Sequence, residues 1–97
     1  MILTERDTDE GRLVTVCDSG LLGETFDDGD ISLTVTEEFY GGEEVDEHTV
    51  IESLSRASVA NIVGTEAVAV AIEHGFVEEA NVMDVDGTRH AQVLRIS

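Results

Sequence analysis

Cys17 is the only thiol in the chain, and Asp18 follows it directly. With His90 far along the sequence, a thiol, an imidazole and a carboxylate could form a nucleophilic constellation. The competing expectation is a small apolar residue at the end of a strand, where free cysteines commonly sit. No local signature of a cysteine enzyme surrounds Cys17. His48, His74 and His90 are isolated, without HxH or HExxH spacing. The acidic turn Asp27-Asp28-Gly29-Asp30 lacks the ligand order of a calcium loop. Neither a GxGxxG nor a P-loop pattern occurs. No metal and no cofactor are therefore expected, and no residue is assigned a catalytic role.

Binding chemistry has better candidates. Phe39 and Tyr40 stand beside Gly41 and Gly42. Such a segment can present a stacking platform that a ligand approaches closely. Alternatively, Phe39 enters the core, Tyr40 covers a helix end and the glycines only turn the chain. Near the C-terminal end, Arg89, His90, Gln92 and Arg95 fall within seven residues. Strand alternation puts His90, Gln92 and Leu94 on one face, and Arg89, Ala91, Val93 and Arg95 on the other. Arginine forks suit phosphate or carboxylate, though they also answer surface carboxylates. Arg56, beside Ser55 and Ser58, carries the same ambiguity. Asn61 is a polar residue in a small, apolar run. It could contact a partner or a base edge, or bond nearby backbone near a helix end.

Composition narrows the setting of these residues. The chain has 97 residues, 22 Asp+Glu, 5 Lys+Arg and a net charge of −17. All five basic residues are arginines, and Lys, Pro and Trp are absent. Such charge suggests disorder, but Ile, Val, Leu and Phe supply 29 of the 97 residues, enough for a modest core. Excess acid without lysine fits a salt-in, haloarchaeal-type cytoplasm. In molar salt, with a Debye length of about 3 Å, carboxylates barely repel one another. One cysteine forms no internal disulfide, and MILTERDTDEG lacks the features of a secretion signal. A cytoplasmic location is expected. No apolar run reaches the roughly 18 residues of a membrane span.

One domain over residues 1–97 must position the candidates. Residues 1–5, 13–17 and 31–35 read as strands, the last with Ile31, Leu33 and Val35 alternating. Asp46 caps a helix expected to run to about Val63 and to end at Gly64. Thr65 then caps a second helix, 65–74, closed by Gly75. Strands 82–85 and 89–96 flank Asp86–Gly87, a strong hairpin signal. The expected order is β-β-β-α-α-β-β. That is an α+β domain with an antiparallel sheet of about five strands packed with two helices.

Several runs resemble one family across nearly the whole chain. They are VCDSGLLGETF at 16–26, EEFYGG at 37–42, VD at 45–46, RASVANIVG at 56–64, AIEHGFV at 71–77 and HAQVLRI at 90–96. Together they are similar to the archaeal domain-of-unknown-function 424 family. The resemblance implies a small archaeal cytoplasmic protein, with an association with translation or RNA processing. It supplies no activity and no catalytic residues. The expected function is a non-enzymatic binding module, with ribonucleoprotein or translation components as partners and no membrane. A protein–protein adaptor or homodimer without nucleic acid is the alternative. A small enzyme using Cys17 or His90 ranks last.

Overall fold

Leu13-Val14-Thr15-Val16-Cys17 is β-branched at three of its five positions and forms a central strand. The computed structural model describes residues 1–95. Ile96, placed at the end of the last expected strand, lies outside the described residues. Strands β1 (Ile2–Thr8), β2 (Gly11–Cys17), β5 (Glu43–Glu44), β6 (Val59–Val63), β7 (Met83–Val85) and β8 (Thr88–Leu94) form one sheet in the order β5-β1-β2-β6-β8-β7. Strands β3 (Thr25–Asp27) and β4 (Ser32–Thr34) pair separately as a small hairpin. Helices α1 (Glu37–Tyr40), α2 (Glu47–Arg56) and α3 (Thr65–Glu73) and a 3-10 turn, Glu79–Asn81, complete an α+β fold. Among the described residues no helix is long and apolar enough to cross a membrane.

Alternation along each strand divides the sheet into two faces. Val14, Val16, Ala60, Ile62, Ala91 and Val93 point to one side and are buried. They pack there against Val50 and Leu54 of α2 and Ala67, Val68 and Ala71 of α3. On the other side, Cys17 and Val63 join Val35 and Tyr40 under α1 and the β3–β4 hairpin. That second cover reaches only part of the face.

Four expectations need correction. The helix from Asp46 stops at Arg56, and residues 59–63 are a strand. Val59, Ile62 and Val63 are β-branched, and their parallel register with β2 sets Val16 against Ile62. That pairing makes the sheet mixed, with six strands rather than five antiparallel ones. Gly64 therefore opens α3 instead of closing the preceding helix. Thr65 does not cap α3; Asp18 does, accepting from the Glu66 and Ala67 amides at 3.0 and 2.7 Å. The segment containing Phe39 and Tyr40 is a helical turn capped by Thr36, and the chain leaves it at Gly41–Gly42. The Asp86–Gly87 hairpin is present, with both residues at positive φ (48° and 86°), as a tight two-residue turn requires.

Candidate functional site

The candidate residues separate into those that hold the fold together and those left on one open surface. Cys17 has no exposure and packs against Val35, Tyr40 and Val63. Burial, helped by the Asp18 charge, pushes its thiol up to about 11. His90 pairs across the sheet with Val63, not Cys17. A buried, protonated thiol does not fit the nucleophile.

Tyr40 is 4% exposed, so its ring offers no stacking surface. Phe39 meets it edge-on at 5.0 Å and is half-buried beneath the Arg6 guanidinium. Gly42 lies so close to β1 that a Cβ there would strike the Leu3 carbonyl. Phe39, Tyr40, Gly41 and Gly42 thus clamp α1 onto the sheet.

All five arginines have partners within the chain. Arg6 donates to the Glu38 and Phe39 carbonyls at the end of α1. Arg12 faces Asp7 at 3.4 Å, and Arg56 faces Glu5 at 3.6 Å. Glu5 also accepts from the buried Ser53 hydroxyl at 2.6 Å. Arg89 bridges Glu79 and Asp84 at 2.6 and 3.1 Å. Arg95 donates to the Ser55 carbonyl in the last turn of α2 and to the Ala57 carbonyl at its C-cap, with its guanidinium over the Phe76 ring. Arg89 and Arg95 lie on the opposite sheet face from His90 and Gln92, as alternation requires.

The structure does bring Asn61, His90 and Gln92 together. Asn61 stands directly opposite Gln92 in the β6–β8 register. Gln92 Nε2 donates to Asn61 Oδ1 at 2.9 Å. Asn61 is a strand residue, so the expected bond to helix-end backbone does not arise. The flanking row of the same face is Leu13, Val59 and Leu94. Leu94 is 75% exposed and Met83, opposite His90, is 40% exposed. A shallow depression of about 310 Å³ lies among Met83, His90, Gln92 and Leu94.

The charge on this face is unusual for the chain. The carboxylates of the six strands are Glu5, Asp7, Glu43, Glu44 and Asp84; by register only Glu44, at the far edge on β5, shares the Asn61–Gln92 face, and the others point to the opposite one. Leu94 and Met83 are the residues that sequence reading missed. The period-2 pattern of 90, 92 and 94 was the available signal, but whether a helix covered that face depended on β6.

One further cluster was not anticipated. Glu47, Glu73 and His74 each bring a potential ligand atom within 4.8 Å of the others. They join the start of α2 to the end of α3, and all three are exposed. His74 and Glu47 form a loose pair at 3.8 Å.

A family model described as "Protein of unknown function (DUF424)" matches residues 5–96. The chain belongs to that family. A solved structure, "Crystal structure of an uncharacterized conserved protein from Methanopyrus kandleri", has the same fold. Its TM-score is 0.78 at 21% identity, covering 99% of this DUF424 chain and 94% of the other. No curated protein matches the chain.

Proposed function

We propose that this DUF424 protein is a non-enzymatic protein-interaction module whose working surface is the uncovered sheet face around Asn61 and Gln92. One observation carries the reading. In a chain of net charge −17, the β6–β8–β7 part of this face sets exposed Leu94 and Met83 beside amides and one imidazole, and no carboxylate of those three strands points to it. Exposed apolar groups with neutral polar neighbours suit a protein partner. The engaged arginines and buried Tyr40 give little support to a phosphate-and-stacking contact with RNA. Any place in a translation or RNA-processing assembly would then be reached through a protein component. We read the acid excess as adaptation to a salt-rich archaeal cytoplasm.

The test is site-specific photocrosslinking in an archaeal lysate at native salt, with and without nuclease. The crosslinker replaces Leu94 in one sample and Ile31, an exposed apolar residue on the hairpin, in the other. Nuclease-resistant crosslinks to protein from position 94 alone are expected. Absence of protein crosslinks there, or their loss on nuclease treatment, would overturn the reading.

A further inference from the structure

We propose that a partner protein binds by adding an extended segment, apolar with a basic residue, to the open edge of β8 at Gln92–Leu94. This rests on the reading of the adjoining face as an interaction surface and adds the mode of binding and the chemistry of the partner segment.

The ladder leaves part of β8 unpaired. Gly64 donates to the Arg89 carbonyl and Arg95 to the Ser58 carbonyl, so the odd-numbered residues of β8 turn their backbone groups toward β6. The even-numbered ones turn theirs to the other side. There β7 takes up Thr88 and His90, opposite Val85 and Met83, and goes no further. The chain before Met83 is the 3-10 turn Glu79–Asn81 and lies outside the ladder. The backbone N–H and C=O groups of Gln92 and Leu94 thus have no partner among the described residues. An extended peptide offers donors and acceptors at the same two-residue spacing, about 6.6 Å.

The other edges are guarded and this one is not. At the far side of the sheet β5 is Glu43–Glu44, and the part of β1 that β5 leaves uncovered carries exposed Glu5, Arg6 and Asp7. Charged side chains of this kind discourage a further strand. Gln92-Val93-Leu94 has no charge and no proline, and its register with β6 runs without a bulge.

Two depressions flank the open edge. One, of about 360 Å³, lies on the helical side among Phe76, Val77, Glu78 and Val93. The other, beside Met83 and His90, lies on the uncovered side. Both reach Asn81, Gln92 and Leu94. Alternate side chains of an added strand would enter one and then the other, which makes apolar residues favourable there. Charge selects the segment further. Glu78 is exposed in the first depression, and all five arginines engage other groups. A lysine or arginine in the segment complements Glu78, whereas an acidic segment is repelled by a chain of net charge −17.

Amide hydrogen exchange of the full chain, followed by NMR in concentrated potassium chloride, tests this. The probe is a synthetic peptide of about seven residues that alternates valine with threonine and carries one lysine. One twin is N-methylated throughout, and a second has glutamate in place of lysine. In the protein alone, the Gln92 and Leu94 amides should exchange at least about tenfold faster than those of Ala91 and Val93. The peptide at about 1 mM should slow Gln92 and Leu94 at least about threefold, the glutamate twin less, and the methylated twin not at all. Slow exchange at Gln92 and Leu94 in the protein alone, no slowing by the peptide, or equal slowing by either twin would overturn the proposal. Slowing that appears on concentrating the protein alone would also overturn it, since a second copy then takes the edge. Protein crosslinks from position 94 that persist beside such a result leave the interaction surface standing. Absence of those crosslinks removes both.

Discussion

The Asp18 carboxylate accepts from the Ala67 backbone amide at 2.7 Å, across 49 residues of chain. It thereby caps a helix that has no side-chain cap of its own. Gly64 makes this approach feasible. Its φ is +119°, and a Cβ there would fall on the Asp18 carboxylate. One acid at the end of β2 so fixes where α3 begins. Asp18→Ala should lose about 1 kcal/mol of unfolding free energy, and Asp18→Asn less. Gly64→Ala should cost more, about 2 kcal/mol, because it combines backbone strain with displacement of the cap. Denaturant titration at fixed high salt measures all three. An additive Asp18→Ala/Gly64→Ala double variant would contradict the coupling.

Alkaline pH should unfold the protein through Cys17 and Tyr40. Burial raises the thiol to about 11, with help from Asp18, and raises the phenol to about 12, with help from Cys17. Both folded values exceed the ordinary 9.0 and 10.0, so the unfolded chain loses these protons first. Their stabilising contribution is complete below pH 9.0 and declines as pH rises through about 11 and then about 12. Melting temperature measured upward from pH 8 should fall first through the thiol's range. Cys17→Ala should remove that early part. Ellman's reagent should react with Cys17 only after unfolding; rapid reaction of the native protein would show an accessible thiolate.

Much of the fold was legible where local rules suffice. Asp46 does cap α2, accepting from Thr49 at 2.9 Å. Asp86–Gly87 does turn the last hairpin. The failure at residues 57–63 has a physical origin. Val50, Leu54 and Ala57 continue at helical spacing into Asn61, and no proline or glycine intervenes before Gly64. What makes 59–63 a strand is its non-local pairing with β2 and β8, which no local window contains. That error propagated to the site. With Asn61 assigned to a helix, its pairing with Gln92 was invisible. His90 and Gln92 were correctly placed on one face, yet their third partner came from the misread segment. The arginines were legible as residue types only, since their partners are distant carbonyls and carboxylates.

Arg95 should act in folding rather than in ligand binding. Its guanidinium closes the end of α2 through the Ser55 and Ala57 carbonyls at 3.0 and 3.3 Å. It also lies 5.5 Å from the centre of the Phe76 ring. Arg95→Ala should cost about 1–2 kcal/mol, with Arg95→Lys recovering only part. Chemical denaturation gives the magnitude. Crosslinking from position 94, measured where both variants remain folded, should not change, because Arg95 faces away from Asn61 and Gln92.

His90 sets a separate acid limit. It is half-buried on the sheet, opposite Val63 and Met83, and burial holds its pKa below the ordinary 6.5. The fold therefore favours neutral imidazole, and the unfolded chain takes up a proton first as pH falls. Its contribution to stability is complete above pH 6.5 and is lost on descending toward the lower folded value. Two carboxylates add losses further down. Bonds from the N-terminal ammonium and then Ser19 lower Glu44 below its ordinary 4.5, and the Thr49 amide lowers Asp46 below 3.8. The windows are thus separable. The His90 ring protons, followed by NMR, should titrate with a midpoint below 6.5. His90→Gln should abolish the first loss and leave the carboxylate losses in place. A midpoint at or above 6.5, or an unchanged acid profile in His90→Gln, would mean that the ring is better solvated than its place in the sheet implies.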